Sequence, residues 1–307
     1  MADTPRILPV IQPGTASPAP PVFERVAIVG LGLIGGSLAL AVRETWPAGL
    51  VIGVDDKPVL ERAMLRHAID VAADDPVVMA EADLVVLAAP VRTNLALLAD
   101  LEEHVQGSAV VTDVGSTKRD VVEAARALPS RLQFIGGHPL GGAPRGGIDH
   151  ARADLFRDRP WLFTPSDDRH GEALARLRRF VSGFGAAPHV LAPDAHDRLL
   201  AFLSHVPQLT ASVLMRVVGD AIGEDGLALS GRGLADTTRL ASSPADIWRD
   251  ICATNADEIG IALDALMAEL RTVREGLDDG RTVDRIFDSA ARWRAVLAAR
   301  RRAPQGE

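Results

Sequence analysis

Hydrophobic positions are distributed differently in the two halves of the chain. From Arg25 to about Leu191, short continuous apolar runs rich in β-branched residues alternate with longer stretches of helical period. The runs are RVAIV (25–29), LVIGV (50–54), DLVVLAAP (83–90), SAVVTDV (108–114), LQFIGG (132–137) and RPWLFTP (159–165). Continuous rather than alternating apolar strands, separated by helices, predict a parallel sheet covered on both faces. From Pro193 to Ala299 the pattern is almost wholly helical. Leu199, Leu203, Val206, Thr210, Val213 and Val217 recur three and four residues apart, which predicts a buried helix stripe. The expected fold is therefore an α/β Rossmann-type doubly wound sheet followed by an all-helical C-terminal domain. The expected boundaries are a disordered Pro-rich arm over 1–23, a nucleotide-binding domain over 24–192 and a helical substrate and dimerisation domain over 193–300.

Composition narrows the classes. A chain of 307 residues supports two cores. A net charge of -8 without a long basic block argues against a nucleic-acid surface, which needs clustered Lys and Arg. No run of ~20 apolar residues is present to cross a membrane, and the arm lacks the charged and apolar regions of a secretory signal. One cysteine, Cys252, supports neither an internal disulfide nor a multi-thiolate metal site, so no metal centre is expected and a reducing, cytoplasmic location fits.

The first apolar run feeds directly into GLGLIGG, which places Gly30, Gly32 and Gly35 in G-x-G-x-x-G spacing at the opening of an apolar helix. In this strand-to-helix context the first glycine permits the tight turn, the second lets backbone approach a pyrophosphate and the third allows close packing. Helix N–H donors and positive potential complete the site. Gly30, Gly32, Leu33, Ile34 and Gly35 are thus the expected cofactor-binding turn. Asp55 ends the next strand about twenty residues on, where a carboxylate accepts from ribose hydroxyls and repels a 2′-phosphate; the expected cofactor is NAD.

The chain contains no tyrosine, which removes a Tyr-Lys acid pair, and its lysines are Lys57 and Lys118, which removes a catalytic lysine from the helical half. Histidine is left as the leading general base, since its neutral form accepts a proton near pH 7. His67, His104, His150, His170 and His189 lie in polar or segment-edge surroundings. His138 follows a strand end on the carboxyl edge, where open α/β sheets bind ligands. His196 and His205 are nine residues apart on one expected helix, which puts them on opposite faces, so only one of them is expected to face a given cleft.

In order along the chain stand VGLGLIGGSLA, DVGSTK, GGHPLGG followed by LF and TP, HDRLLAFLSHVPQ, and GLADTTRLASSPADIWRDICATN. Together they resemble the prephenate dehydrogenase family, with its arogenate and cyclohexadienyl relatives, from about Arg25 to Arg271. The resemblance implies NAD-dependent oxidative decarboxylation of prephenate to 4-hydroxyphenylpyruvate in tyrosine biosynthesis, by a homodimer. By position, it makes His138 the residue bonded to the substrate's 4-hydroxyl, with Ser116 assisting its orientation. It makes Arg239 the anchor of a substrate carboxylate and sets His205 beside the substrate side chain, on a helix face expected to carry Asp194 and Arg198. Trp248 matches an interface aromatic near the pocket. Pro144 stands where many prephenate-preferring members carry an acidic or amide residue, which keeps arogenate open as the substrate. A rival of another class, a nucleotide-sensing binding protein without turnover, requires a disabled site, whereas His138, Ser116 and Arg239 are all present.

Overall fold

A computed structural model describes residues 20–143, 145–166 and 171–302. The strands are β1 (Arg25–Val29), β2 (Leu50–Val54), β3 (Val71–Ala73), β4 (Leu84–Leu87), β5 (Ala109–Asp113), β6 (Leu132–Pro139), β7 (Pro160–Thr164) and β8 (Ala187–Val190). They form one sheet in the order β3-β2-β1-β4-β5-β6-β7-β8. Helices α1 (Leu33–Thr45), α2 (Lys57–Leu65), α3 (Val91–His104), α4 (Arg119–Ala124) and α5 (Gly171–Gly183) cover it.

Each predicted apolar run contains a strand, and the alternation of its residues shows why the runs are continuous. Val26 and Ile28 face one core with α1 and α5, while Ala27 and Val29 face a second core with α3 and α4. Burying a side chain such as Leu38 completely contributes about 1.5–3 kcal/mol. Strand order reverses between β1 and β4, which opens a crevice at their carboxyl ends.

The predicted parallel pairing holds through β6 and again between β7 and β8; β7 departs from it, running antiparallel to β6 with His138 opposite Leu162. Among the described residues, the connection between β6 and β7 contains only single 3-10 turns, Ile148–His150 and Ala153–Phe156, and no crossover helix to carry the chain back to a parallel start. Of the arm predicted over 1–23, residues 1–19 lie outside the described residues, and Phe23 is buried edge-on against Phe180.

Past β8 the chain is helical: α6 (Pro193–Leu200), a π-helical turn (Ala201–His205), α7 (Val206–Leu227), α8 (Arg232–Thr237), a 3-10 turn (Arg239–Ser242), α9 (Ala245–Thr254), α10 (Ala256–Glu275) and α11 (Gly280–Arg302). Its own core is small, built on Ala201, Ile251, Ile259 and Ala262. The predicted buried stripe is not buried within the chain. Leu203 is 62% exposed and Val213 and Val217 are each 59% exposed, while Val206 packs half-buried against the helical core, so the stripe is a largely exposed apolar face running from α6 through the π turn along α7.

Candidate active site

The glycine turn has the geometry its spacing requires. Gly30 has φ +93°, donates its N–H to the Val54 carbonyl at 2.9 Å and lies where a Cβ would meet Ala88 backbone at 2.7 Å. A Cβ on Gly35 would sit 1.9 Å from the Gly30 carbonyl oxygen, so helix and turn close only on glycine. At Gly32 a Cβ would meet nothing within 4 Å. The first intrahelical bond of α1 is Gly36 N–H to Gly32, which leaves the N–H groups of Leu33, Ile34 and Gly35 without helical partners. The first turn carries no acidic residue and no side-chain cap. A free helix N-terminus facing open space fits a pyrophosphate. The Asp55 carboxylate accepts from Leu31 N–H at 2.5 Å and Asp56 N–H at 2.7 Å, which fixes it at the end of β2 beside that turn.

The second part of the site is built at the ends of β5 and β6. Gly136 and Gly137 let β6 sit close to its neighbours: a Cβ on Gly136 would be 2.3 Å from the Thr164 hydroxyl, and one on Gly137 2.5 Å from the Asp113 carbonyl oxygen. Asp113, at the end of β5, accepts from Gly137 N–H at 3.0 Å and Gly115 N–H at 2.8 Å. It also pairs with the Lys118 ammonium, and both side chains are fully buried. Burial lowers the Lys118 pKa and Asp113 opposes that shift. Asp113 thus ties the DVGSTK turn to the residue preceding His138.

Helical residues close over this edge. Asp197 of α6 is fully buried and accepts from Lys118 N–H at 2.7 Å, Arg119 N–H at 3.0 Å and Arg119 Nε at 3.3 Å. His196 Nδ1 lies 2.8 Å from Asp197 Oδ1, and His196 Nε2 lies 2.9 Å from His138 Nδ1. Asn255, at the end of α9, donates to the Asp197 carbonyl at 2.9 Å and contacts His205 Nδ1 at 3.3 Å, while its Oδ1 accepts from Arg119 Nη2 at 3.1 Å. Arg119 also forms a paired contact with Asp257, whose carboxyl it holds down to about 2. Thr117 and Thr254 hydroxyls meet at 2.7 Å. The two halves are therefore joined by hydrogen bonds through the site itself.

Burial pushes the His138 pKa well below 6.5, and the Lys118 ammonium, with His196 and His205 where they are protonated, pushes the same way. Burial lowers His196 more than Asp197 raises it, and takes His205 down to about 4. For Asp197, burial raises the carboxyl, but hydrogen bonds from His196, Arg119 and Lys118 outweigh it and the pKa falls below the ordinary aspartate range. The site at pH 7 is a carboxylate with three neutral imidazoles.

The structure brings His138 and His205 into one cluster and adds His196, which the helical wheel had set on the opposite face from His205. The correction has a physical cause. Pro207 lacks an N–H and crowds the carbonyl one turn earlier, and the chain widens there into the π turn that ends at His205. The change of phase turns His205 inward, while Asp194 and Arg198, its expected face-mates, are exposed. Trp248 packs edge-on against His205, with ring centroids 6.0 Å apart. Ser116 is half-buried in the β5–α4 turn, and Arg239 is exposed on the 3-10 turn after α8. Among the described residues neither contacts the histidine cluster through a hydrogen bond or ion pair. His67, His150 and His189 are exposed, and His170 and Pro144 lie outside the described residues.

Sequence reading missed His196, Asp197, Asn255 and the Asp113–Lys118 pair. The proline at 207 was the available signal for the first; nothing in the local pattern marks Asn255.

Sheet order, glycine turn and a buried cluster of histidines at the carboxyl edge define a nucleotide-binding oxidoreductase. Residues 38–190 match the family model for the prephenate dehydrogenase nucleotide-binding domain, and residues 192–288 match the prephenate dehydrogenase dimerization domain. The chain belongs to the prephenate dehydrogenase family. It is 33% identical to the prephenate dehydrogenase of Bacillus subtilis over 91% of this chain and 77% of that one. It resembles the solved arogenate dehydrogenase of Synechocystis at 28% identity and TM-score 0.77, over 89% and 99% of the two chains. It also resembles the prephenate dehydrogenase of Aquifex aeolicus, solved with hydroxyphenyl propionate and NAD+, at 25% identity and TM-score 0.82, over 89% and 98%.

Because the Asp113–Lys118 pair is fully buried, removing one partner strands the other charge. Lys118→Met is expected to lower unfolding free energy by about 3–5 kcal/mol. Urea unfolding at matched protein concentration checks this; a loss below about 1 kcal/mol contradicts it.

Proposed function

We propose that the protein is an NAD-dependent prephenate dehydrogenase of tyrosine biosynthesis, converting prephenate to 4-hydroxyphenylpyruvate and carbon dioxide. The observation that carries the reading is His138: a buried imidazole, neutral at pH 7, at the carboxyl edge of a sheet whose glycine turn suits a dinucleotide. Gly30, Gly32 and the N–H groups of Leu33, Ile34 and Gly35 hold the pyrophosphate, and Asp55 holds the adenosine ribose. Asp55 disfavours a 2′-phosphate, which supports NAD over NADP. When bound, NAD accepts the hydride that leaves ring carbon 4.

His138 takes the proton of the 4-hydroxyl as that carbon becomes a carbonyl. When the ring carboxylate leaves as carbon dioxide, its electron pair moves into the ring and onto the oxygen, and His138 returns the proton to complete the phenol. Aromatisation supplies the driving force and the proton account closes without a second base. Ser116, half-buried in the β5–α4 turn, is the residue we assign to orient His138 once substrate is bound. Arg239 anchors a substrate carboxylate, a task that suits a planar guanidinium with paired donors, and Trp248 and His205 line the side-chain end.

A second reading, arogenate as the preferred substrate, rests on the similarity to the Synechocystis enzyme. His205 supports prephenate. With Arg119 fixing the Asn255 oxygen, the Asn255 amide N–H faces His205 Nδ1, so the proton of a neutral His205 is on Nε2. That Nε2 is buried and has no partner among the described residues. An N–H donor suits the keto oxygen of prephenate and not the ammonium of arogenate. The apolar outer face of α7 and the match to a dimerization domain support a homodimer. The chemistry needs no oxidising compartment, which fits the cytoplasm, and no described helix is long and apolar enough to cross a membrane.

Initial rates of NADH formation on prephenate and arogenate, each with NAD and NADP, test the reading: prephenate with NAD is expected to be fastest. A large preference for arogenate, or turnover of neither, overturns it. His138→Asn is expected to keep NAD affinity and to lower kcat by about 10²- to 10⁴-fold. Because protonated imidazole accepts nothing, wild-type kcat/KM is expected to stay level through neutral pH and to fall only below pH ~6.5. An acid limb centred above that value contradicts the low His138 pKa. Arg239→Ala is expected to raise the substrate KM by at least about tenfold, the effect of a lost charge-assisted bond; an unchanged KM sets the anchor elsewhere. Light scattering is expected to give twice the chain mass of 32.5 kDa, and a monomer mass contradicts the dimer.

A further inference from the structure

The proton of a neutral imidazole sits on one ring nitrogen, and a base that serves through Nε2 works only while Nε2 is bare. No hydrogen bond from a described residue, Ser116 included, engages His138 Nε2. What fixes the proton here lies behind the ring, in residues that the base itself does not reveal.

Asp197 is held as an acceptor. Its Oδ1 receives Lys118 N–H at 2.7 Å and its Oδ2 receives Arg119 N–H at 3.0 Å and Arg119 Nε at 3.3 Å. His196 Nδ1, 2.8 Å from Asp197 Oδ1, must therefore carry a proton. His196 has no exposed surface and is neutral, so its Nε2 is a bare lone pair, and His138 Nδ1 stands 2.9 Å from it. Two lone pairs cannot face each other at that distance. The proton of His138 is on Nδ1, and Nε2 is left bare for the substrate.

We infer that His196 and Asp197 are positioning residues that hold His138 in its Nδ1–H tautomer, with Asp197 orienting His196 and His196 Nε2 accepting from His138. The inference rests on His138 being the base. When His138 takes the hydroxyl proton on Nε2, no further transfer is needed: the Nδ1–H bond to His196 becomes charge-assisted and steadies the imidazolium. The arrangement follows the logic of a carboxylate behind a catalytic histidine, with a second imidazole inserted between them. Other titratable groups bear on the pair. Lys118 and His205 face His138, while Lys118 and Asp113 face His196, and their influence is common to all variants below.

Two measurements test it. In wild-type protein without cofactor or substrate, 15N spectra of histidine-labelled protein near pH 7.5 are expected to show His138, assigned by its loss in His138→Asn, with the proton on Nδ1. A proton on Nε2 overturns the inference whatever the enzyme turns over, so this failure is separate from failure of the proposed reaction. In kinetics, His196→Leu removes the acceptor and is expected to lower kcat by about 10²- to 10⁴-fold with NAD affinity kept. His196→Gln keeps an amide N–H for Asp197 and an amide oxygen for His138, and is expected to stay within about tenfold of wild type. A His196→Leu protein within about threefold of wild type overturns the inference, as does a folded His196→Gln protein as slow as His196→Leu. If His196→Leu does not fold, the wild-type spectrum and His196→Gln still decide.

Discussion

A single buried carboxylate, Asp197, sets the relation between the two halves of the molecule. It has no solvent exposure, and its oxygens are occupied by backbone N–H groups of Lys118 and Arg119, by the Arg119 guanidinium and by His196. A carboxylate in that setting is costly unless every lone pair is engaged. Apart from His196, its neighbour on α6, the donors that engage it come from Lys118 in the β5–α4 turn and Arg119 at the start of α4, whereas the residue itself belongs to α6. Docking the helical half on the sheet and assembling the site are therefore one event: without the turn Asp197 is an unpaired buried charge, and without Asp197 the turn has unpaired N–H donors.

From that junction the arrangement extends in both directions along hydrogen bonds. Toward the sheet, Lys118 reaches Asp113, which holds Gly115 and Gly137 and so fixes the strand end that carries His138. Toward the helices, Arg119 and Asn255 link Asp197 to α10 and to His205. The sheet half has two large apolar cores to bear the cost of this polar network, while the helical half has a small core and an exposed apolar face on α7. A second copy covering that face supplies the burial the helical half lacks in isolation, which links the proposed dimer to the stability of the site.

The sheet was legible from sequence because a short continuous apolar run between helical stretches suits a strand buried on both faces, and each such run contains a strand. The edge strands Val71–Ala73 and Ala187–Val190 were not read, being three and four residues long and largely unburied. The glycine turn's geometry and the place of His138 at the sheet edge were also legible, since spacing and strand position carry physical content. The partners of His138 were not. A uniform helical period put His196 and His205 on opposite faces, and one π turn before Pro207 cancelled that separation. The α7 stripe was read correctly as apolar and wrongly as buried, because periodicity reports a face that must be covered and not the chain that covers it.

On this account the chain uses neutral imidazoles in a buried, carboxylate-anchored cluster to move one proton out of the substrate and back, while hydride and carbon dioxide leave. No proton is released overall, and loss of the carboxylate is tied to oxidation of ring carbon 4. The most direct measurement is the stoichiometry of turnover on prephenate carrying a labelled ring carboxylate. Equal amounts of NADH and labelled carbon dioxide, formed at the same rate, are the predicted result. NADH accumulating without carbon dioxide, or carbon dioxide released without NADH, would contradict the account.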